Sequence, residues 1–169
     1  MKVGLVCVLS IAVAHVAFAA DDPFETTPWQ ESALTLPTPS GTPRLVAFEV
    51  SPANPNRFSV DVDALSVGKD GVVRYALYVD TPGGVRNVTY EGIRCETRER
   101  RLYAIGHADG SWRPVRDEKW YRVTEYGTSR QYAALYLDYF CPGGVIVGSV
   151  AEARNALQKG GHPGNQRWW

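Results

Sequence analysis

Residues 56–79 read NRFSVDVDALSVGKDGVVRYALYV, and the fold follows from how this stretch is read. Phe58, Val60 and Val62 alternate with Ser59, Asp61 and Asp63, the two-residue period of a strand with one wet face. Lys69-Asp70-Gly71 supplies a turn, because Asp-Gly accepts positive φ at low cost. Val73, Tyr75, Leu77 and Val79 then share one face of a returning strand. Thr81-Pro-Gly-Gly84 turns the chain again, and Val85 to Cys95 runs back. Upstream, Leu45 to Val50 is a short apolar run ended by Ser51-Pro52 and Asn54-Pro55. Downstream, Leu102 to Ile105 is a further strand, followed by the turn His107-Ala-Asp-Gly110 and a return over Ser111 to Val115. The segment from Asp117 to Tyr126 has no clear period.

Two helices follow. Thr128 with Gln131 makes a capping-box pattern, and Tyr132, Leu135, Tyr136 and Tyr139 fall on one helical face. Ala133, Leu135, Leu137 and Tyr139 also alternate as a strand would, so residues 130–140 stay open between the two readings. Val150 to Gln158 is the second helix, with Ser149 and Glu152 as its capping box and Gly160-Gly161 as its stop. The expected fold is α+β: an antiparallel sheet of about five strands covered on one face by one or two C-terminal helices.

The chain has 169 residues, with 18 Lys+Arg balancing 18 Asp+Glu, and 44% are hydrophobic. That composition argues against wholesale disorder, and the balanced charge gives no reason to expect a nucleic-acid partner. Lys2, the apolar run Val3 to Ala14 and Ala17-Phe18-Ala19 read as a cleaved export signal over residues 1–19. Residues 20–43 read as an extended arm, with Phe24, Trp29, Leu34 and Leu36 as anchors. Residues 44–160 form a single domain and 161–169 a flexible tail carrying Trp168-Trp169. No later segment is long and apolar enough to span a bilayer.

Cys7 falls in the segment expected to be removed, which leaves Cys95 and Cys141. In an oxidising compartment one bridge between them is the simplest outcome; two separate buried thiols are the alternative. No CxxC is present, and neither a metal site nor a cofactor is indicated.

The stretches 56–79, YEGIRCETRERRLYAIG over 90–106 and YFCP over 139–142 resemble the cryptic neisserial protein family of bacterial envelope proteins. The resemblance implies export to the periplasm and carries over no catalytic residue. Some members look like lipoproteins; Cys7 is not placed as a lipidated first residue, so soluble export is expected here.

The charged run Arg94 to Arg101 is the strongest local feature. Its bland reading is a solvated strand end and turn with weak ion pairs. Its sharper reading is a binding surface built from Arg94, Glu96, Arg98, Tyr132 and Tyr136, since Arg forks recognise carboxylate or phosphate. Asp61 and Asp63 share a strand face that suits a cation only weakly. His107, Asp109 and Ser111 match a triad in residue type alone, and no GxSxG elbow exists. The expected role is therefore an exported, non-enzymatic binding or scaffolding module, whose partner is another envelope protein or a peptide. The alternative is a cell-envelope hydrolase using Glu91, Glu96, His107 or Asp109, which requires two of these groups to converge in one pocket.

Overall fold

The computed structural model describes residues 28–38 and 42–165. The export segment, Phe24 and Trp168-Trp169 lie outside the described residues. The strands are β1 (Leu45–Phe48), β2 (Arg57–Val67), β3 (Val72–Asp80), β4 (Arg86–Arg94), β5 (Glu99–Gly106), β6 (Trp112–Pro114) and β7 (Tyr121–Arg122). They form one antiparallel meander in the order β1 to β6, with β7 pairing farther along β5. The sheet thus has seven strands rather than about five. The additional ones are two short strands that share the outer edge of β5: β6 faces Ala104 to Gly106, and β7 faces Glu99 and Arg100.

Four of the hairpin turns use one device. Gly71, Gly84, Gly110 and Arg98 each donate their N–H to the carbonyl three residues earlier, at Gly68, Thr81, His107 and Cys95. Each closing residue has positive φ: 77°, 81° and 84° for the glycines and 55° for Arg98. Glycine takes that conformation freely, while an L side chain costs roughly 1–2 kcal/mol there. The tip of the β4–β5 hairpin is therefore the one strained turn of the four.

The helical side begins with α1 (Arg130–Ala134), which continues as a π-helical stretch over Leu135–Phe140, and ends with α2 (Val150–Gln158). Residues 130–140 are helix, not strand. The expected Thr128–Gln131 capping box does not mark its start, since Ser129 occupies the N-cap without a side-chain bond. The widened turn, closed by Cys141 N–H donating to the Tyr136 carbonyl at 2.9 Å, shifts the phase of the helix. Leu135, Tyr136, Tyr139, Phe140 and Cys141 consequently all face inward. At α2 the Ser149 hydroxyl accepts the Glu152 N–H at 3.1 Å as expected, while the Glu152 carboxylate reaches one residue farther back, to the Gly148 N–H at 2.8 Å.

The larger core lies between the helices and one sheet face. Val60, Val62, Val73, Tyr75, Leu77 and Ile93 pack there against Leu135, Tyr139, Phe140, Ala153 and Leu157. Cys95 and Cys141 sit inside this layer with sulfurs 2.03 Å apart and Cα atoms 5.5 Å apart. The Tyr136 hydroxyl donates to the Cys95 carbonyl at 3.2 Å.

The opposite face is not bare. Ala64, Ala76, Tyr90, Tyr103 and Ala104 form a second cluster, with Leu36, Tyr78 and Trp112 against it. Residues 28–38 cross this face without regular structure. Trp29 lies under the Arg94 guanidinium at 3.9 Å and edge-on to Trp120, and its Nε1 donates to the Asp70 carbonyl at 2.8 Å. Glu31 accepts from Arg74 at 3.2 Å, from Arg101 at 2.6 Å and from the Tyr103 hydroxyl at 2.6 Å. Leu36 reaches the second cluster, whereas Leu34 is exposed. The sheet is therefore covered on both faces, contrary to the one-sided cover expected. Val73, Tyr75, Leu77 and Val79 share the helical face as expected, and Ala76, Tyr78 and Tyr90 pack on the opposite face.

The chain does not leave the body at Gly161 either. The His162 N–H donates to the Asp138 carbonyl at 2.7 Å, and the Asn165 side chain donates to Asp138 Oδ1 at 2.7 Å.

The bridge closes a sequence separation of 46 residues, which chain-entropy reasoning values at roughly 4 kcal/mol. Replacing Cys95 or Cys141 with Ser should lower the urea midpoint of the oxidised protein by an amount matching about 2–5 kcal/mol. A reductant should bring the wild type to the same midpoint. Equal midpoints for mutant and oxidised wild type would contradict a stabilising bridge.

Candidate functional site

The five residues expected to make one binding surface divide between the two faces. Successive residues of a strand point to opposite sides, so Arg94 at the end of β4 turns to the arm and stacks on Trp29. Its guanidinium also pairs with Glu96 at 2.7 Å. Arg98, held in the strained turn, pairs with Glu125 at 2.6 Å and lies 5.3 Å from the Tyr136 ring centroid on the helical side. Tyr136 itself is buried. Tyr132 stacks with Arg100, at 4.0 Å, rather than with any of the arginines named from the sequence.

Under Tyr132 sits the carboxylate of Glu91, one of the groups named for hydrolysis. Glu91, on β4, is 1% exposed. It accepts from the Thr89 hydroxyl at 2.7 Å, from Tyr132 at 3.2 Å and from Tyr75 at 3.3 Å. Burial pushes its carboxyl above the usual carboxylate range, against the opposing pull of the Thr89 hydroxyl, the nearby Arg100 charge and the two phenols. This cluster ties β4 to β3 and α1.

A second buried set lies on the arm side. Arg74, 5% exposed, holds Asp70 at 2.6 Å as well as Glu31. Burial opposes the Asp70 charge, but hydrogen bonds from Arg74 and from the Ser32 and Val72 N–H groups outweigh it and bring the carboxyl down to about 2. Gly92 makes room for Tyr103 across this face; a Cβ there would stand 2.5 Å from the Tyr103 hydroxyl.

The concave feature of this face lies at the other end of the meander. A groove of about 510 Å³ is lined by Pro43, Tyr78, Arg86, Val88, Gly106, His107, Ala108, Asp109, Gly110 and Trp112. A smaller one adjoins it at Tyr78, Gly110 and Trp112. The Trp112 Nε1 donates to the Pro37 carbonyl at 3.0 Å, so the arm helps to orient the indole. Arg86 pairs bidentately with Asp80, at 2.6 and 2.8 Å, and lies over Tyr78. The sequence drew attention to His107 and Asp109. It gave no sign that Tyr78 joins them, because β3 is distant in the chain from this turn, whereas Trp112 follows the turn directly.

Of the four groups named for hydrolysis, His107 and Asp109 border this groove. Glu91 is sealed beneath Tyr132, and Glu96 points outward beside Arg94. The Asp109 carboxylate accepts from the Ser111 hydroxyl at 2.7 Å and the Ser111 N–H at 2.9 Å, which hold it below the usual carboxylate range and make it a weaker base. Glu91, Glu96 and Asp109, the carboxylates named for hydrolysis, therefore do not converge on one another. Asp61 and Asp63 are likewise engaged: Asp61 accepts the Arg44 and Asp63 N–H groups at 3.1 Å, and Asp63 pairs with Arg44. No cluster of three His, Cys, Asp or Glu suited to a metal occurs among the described residues. Nor is any described helix long and apolar enough to cross a membrane.

Because the native state binds the Glu91 proton more tightly than the unfolded chain does, the Glu91 contribution is greatest below its ordinary value of about 4.5. It declines as pH rises through the raised native value. Glu91→Gln should remove that component, leaving stability flatter with pH in this window. Denaturant midpoints measured from pH 4 upward check it, and parallel profiles for mutant and wild type would contradict it.

Comparison with known proteins gives one family-level match. A family model described as CNP1-like matches residues 24–158, which include the arm, the whole sheet and both helices. No curated relative and no solved structure matches. With most of its length covered by that model, the chain belongs to the CNP1-like family.

Proposed function

We propose that this chain is an exported binding module of the bacterial envelope, acting without catalysis, and that the Tyr78–Trp112 groove takes peptidoglycan fragments. The observation that carries the reading is the groove's composition. Two aromatic side chains, from β3 and β6, stand beside Arg86, His107 and Asp109 in one concavity. Aromatic faces suit sugar rings and apolar peptide groups, and a few polar side chains around them fix orientation. A muropeptide offers sugar hydroxyls, amides and carboxylates together, which suits that mixture.

Export is supported by the signal-like residues 1–19 and by two cysteines placed to bridge in an oxidising compartment. We read the CNP1-like family as the envelope-protein group that the sequence resembles, and that reading supports a periplasmic location. Binding rather than hydrolysis is favoured because Asp109 is engaged by its own turn while Glu91 and Glu96 are elsewhere.

Titrating the full chain with soluble muropeptides should change its tryptophan fluorescence, and Trp112→Ala should weaken binding by at least tenfold. Unchanged fluorescence at millimolar fragment, or equal binding by Trp112→Ala, would contradict the reading.

A further inference from the structure

The arm is held in an unusual way. Among the described residues, no backbone–backbone hydrogen bond joins 28–38 to the sheet. The grip comes from side chains instead. The Trp29 indole sits between Arg94 and Trp120, with its Nε1 on the Asp70 carbonyl. The Glu31 carboxylate accepts from Arg74, Arg101 and Tyr103, and the Ser32 N–H donates to Asp70 Oδ2 at 2.8 Å. The sheet thus presents an indole clamp and, two residues along an extended strand, a three-donor carboxylate socket.

The socket is also built so that it can empty. Each of the three arginines that grip the arm also has a carboxylate within the body: Arg74 has Asp70 at 2.6 Å, Arg94 has Glu96 at 2.7 Å, and Arg101 has Glu118 at 4.0 Å. Arg74 matters most, since its side chain is only 6% exposed and would be costly to strand. With Asp70 in place, departure of the arm leaves no buried cation alone. An arm serving only as a fixed strap would not need this duplication.

We infer that Arg74, Arg94, Arg101, Tyr103 and Trp120 form a recognition site for an extended Trp-x-Glu-Ser segment, and that the site accepts this segment from a second copy of the chain. The only sequence known to fit is the chain's own Trp29-Gln30-Glu31-Ser32, so a second copy carries a matching ligand by identity. Exchange would remake the same contacts, which makes it a low-cost route to association. The stretch from Glu31 to Arg44 can span on the order of 40 Å when extended, comparable to the diameter of a domain of this size. In the wild type the tethered arm competes at an effective concentration of about millimolar, so the monomer dominates in dilute solution.

Two full-length variants separate the arm from its socket. One carries Trp29→Ala and Glu31→Ala, and so has a null arm and an intact socket. The other carries Arg94→Ala and Arg101→Ala, and so has an intact arm and a damaged socket. By light scattering after gel filtration each alone should be monomeric, whereas the equimolar mixture should show a species of twice the monomer mass. Adding Trp29→Ala and Glu31→Ala to the second chain should abolish that species. A mixture that stays monomeric at high micromolar concentration, with both chains folded by circular dichroism, would overturn the inference. Should either double variant fail to fold, Glu31→Gln paired with Tyr103→Phe makes the same comparison with smaller changes. A dimer that persists when neither chain has an intact arm would also count against it.

Discussion

The Cys95–Cys141 pair fastens the tip of the β4–β5 hairpin to the end of the π-helical stretch, and the organisation of both sheet faces follows from where that tip is held. The bond lies in the layer between sheet and helices, where Cys95 is 3% and Cys141 1% exposed. Around it Tyr136 reaches the Cys95 carbonyl, Arg98 lies over the Tyr136 ring, and the Val123 N–H donates to the Arg98 carbonyl at 2.9 Å. These contacts hold a left-handed arginine where the other three turns of this design use glycine. Fixing the tip also fixes the alternation of Arg94, Arg98, Arg100 and Arg101, which sends two of the four to the arm and two to the helices.

This arrangement gives the two faces different characters. The helical face is a continuous apolar layer with one buried carboxylate, Glu91, satisfied by hydroxyl donors. The arm face is mixed: arginines, aromatic rings and acids interleave, and, among the described residues, 28–38 cover it without a backbone–backbone hydrogen bond to the sheet. The groove at Tyr78 and Trp112 and the three donors around Glu31 both lie on the arm face.

Much of this was legible in the sequence. The alternation of Phe58 to Val62 and of Val73 to Val79, with Asp70-Gly71 between, sufficed for the central hairpin, and Ser149 with Glu152 marked α2. Other features were hidden for identifiable reasons. Arg98 gives no turn signal, because a left-handed arginine is disfavoured by its own chemistry and is held by Glu125, Tyr136 and Val123, which are remote in sequence. The helix over residues 130–140 was ambiguous because the short aromatic run fits both a helical face (Tyr132, Leu135, Tyr136, Tyr139) and a two-residue alternation (Ala133, Leu135, Leu137, Tyr139). The second apolar face gives no local signal, because Tyr78 and Tyr90 pack against residues remote in sequence. Their partners Leu36, Tyr103 and Trp112 come from three other parts of the chain. Glu31, in a stretch without any period, had no local mark at all.

Hydrogen exchange with and without reductant tests this organisation most directly. Reduction should release protection around residues 95–98 and 130–147, while amides in the middle of β2, β3 and β4 stay protected. Identical exchange in the two states, or loss of protection spread evenly over the sheet, would contradict the account.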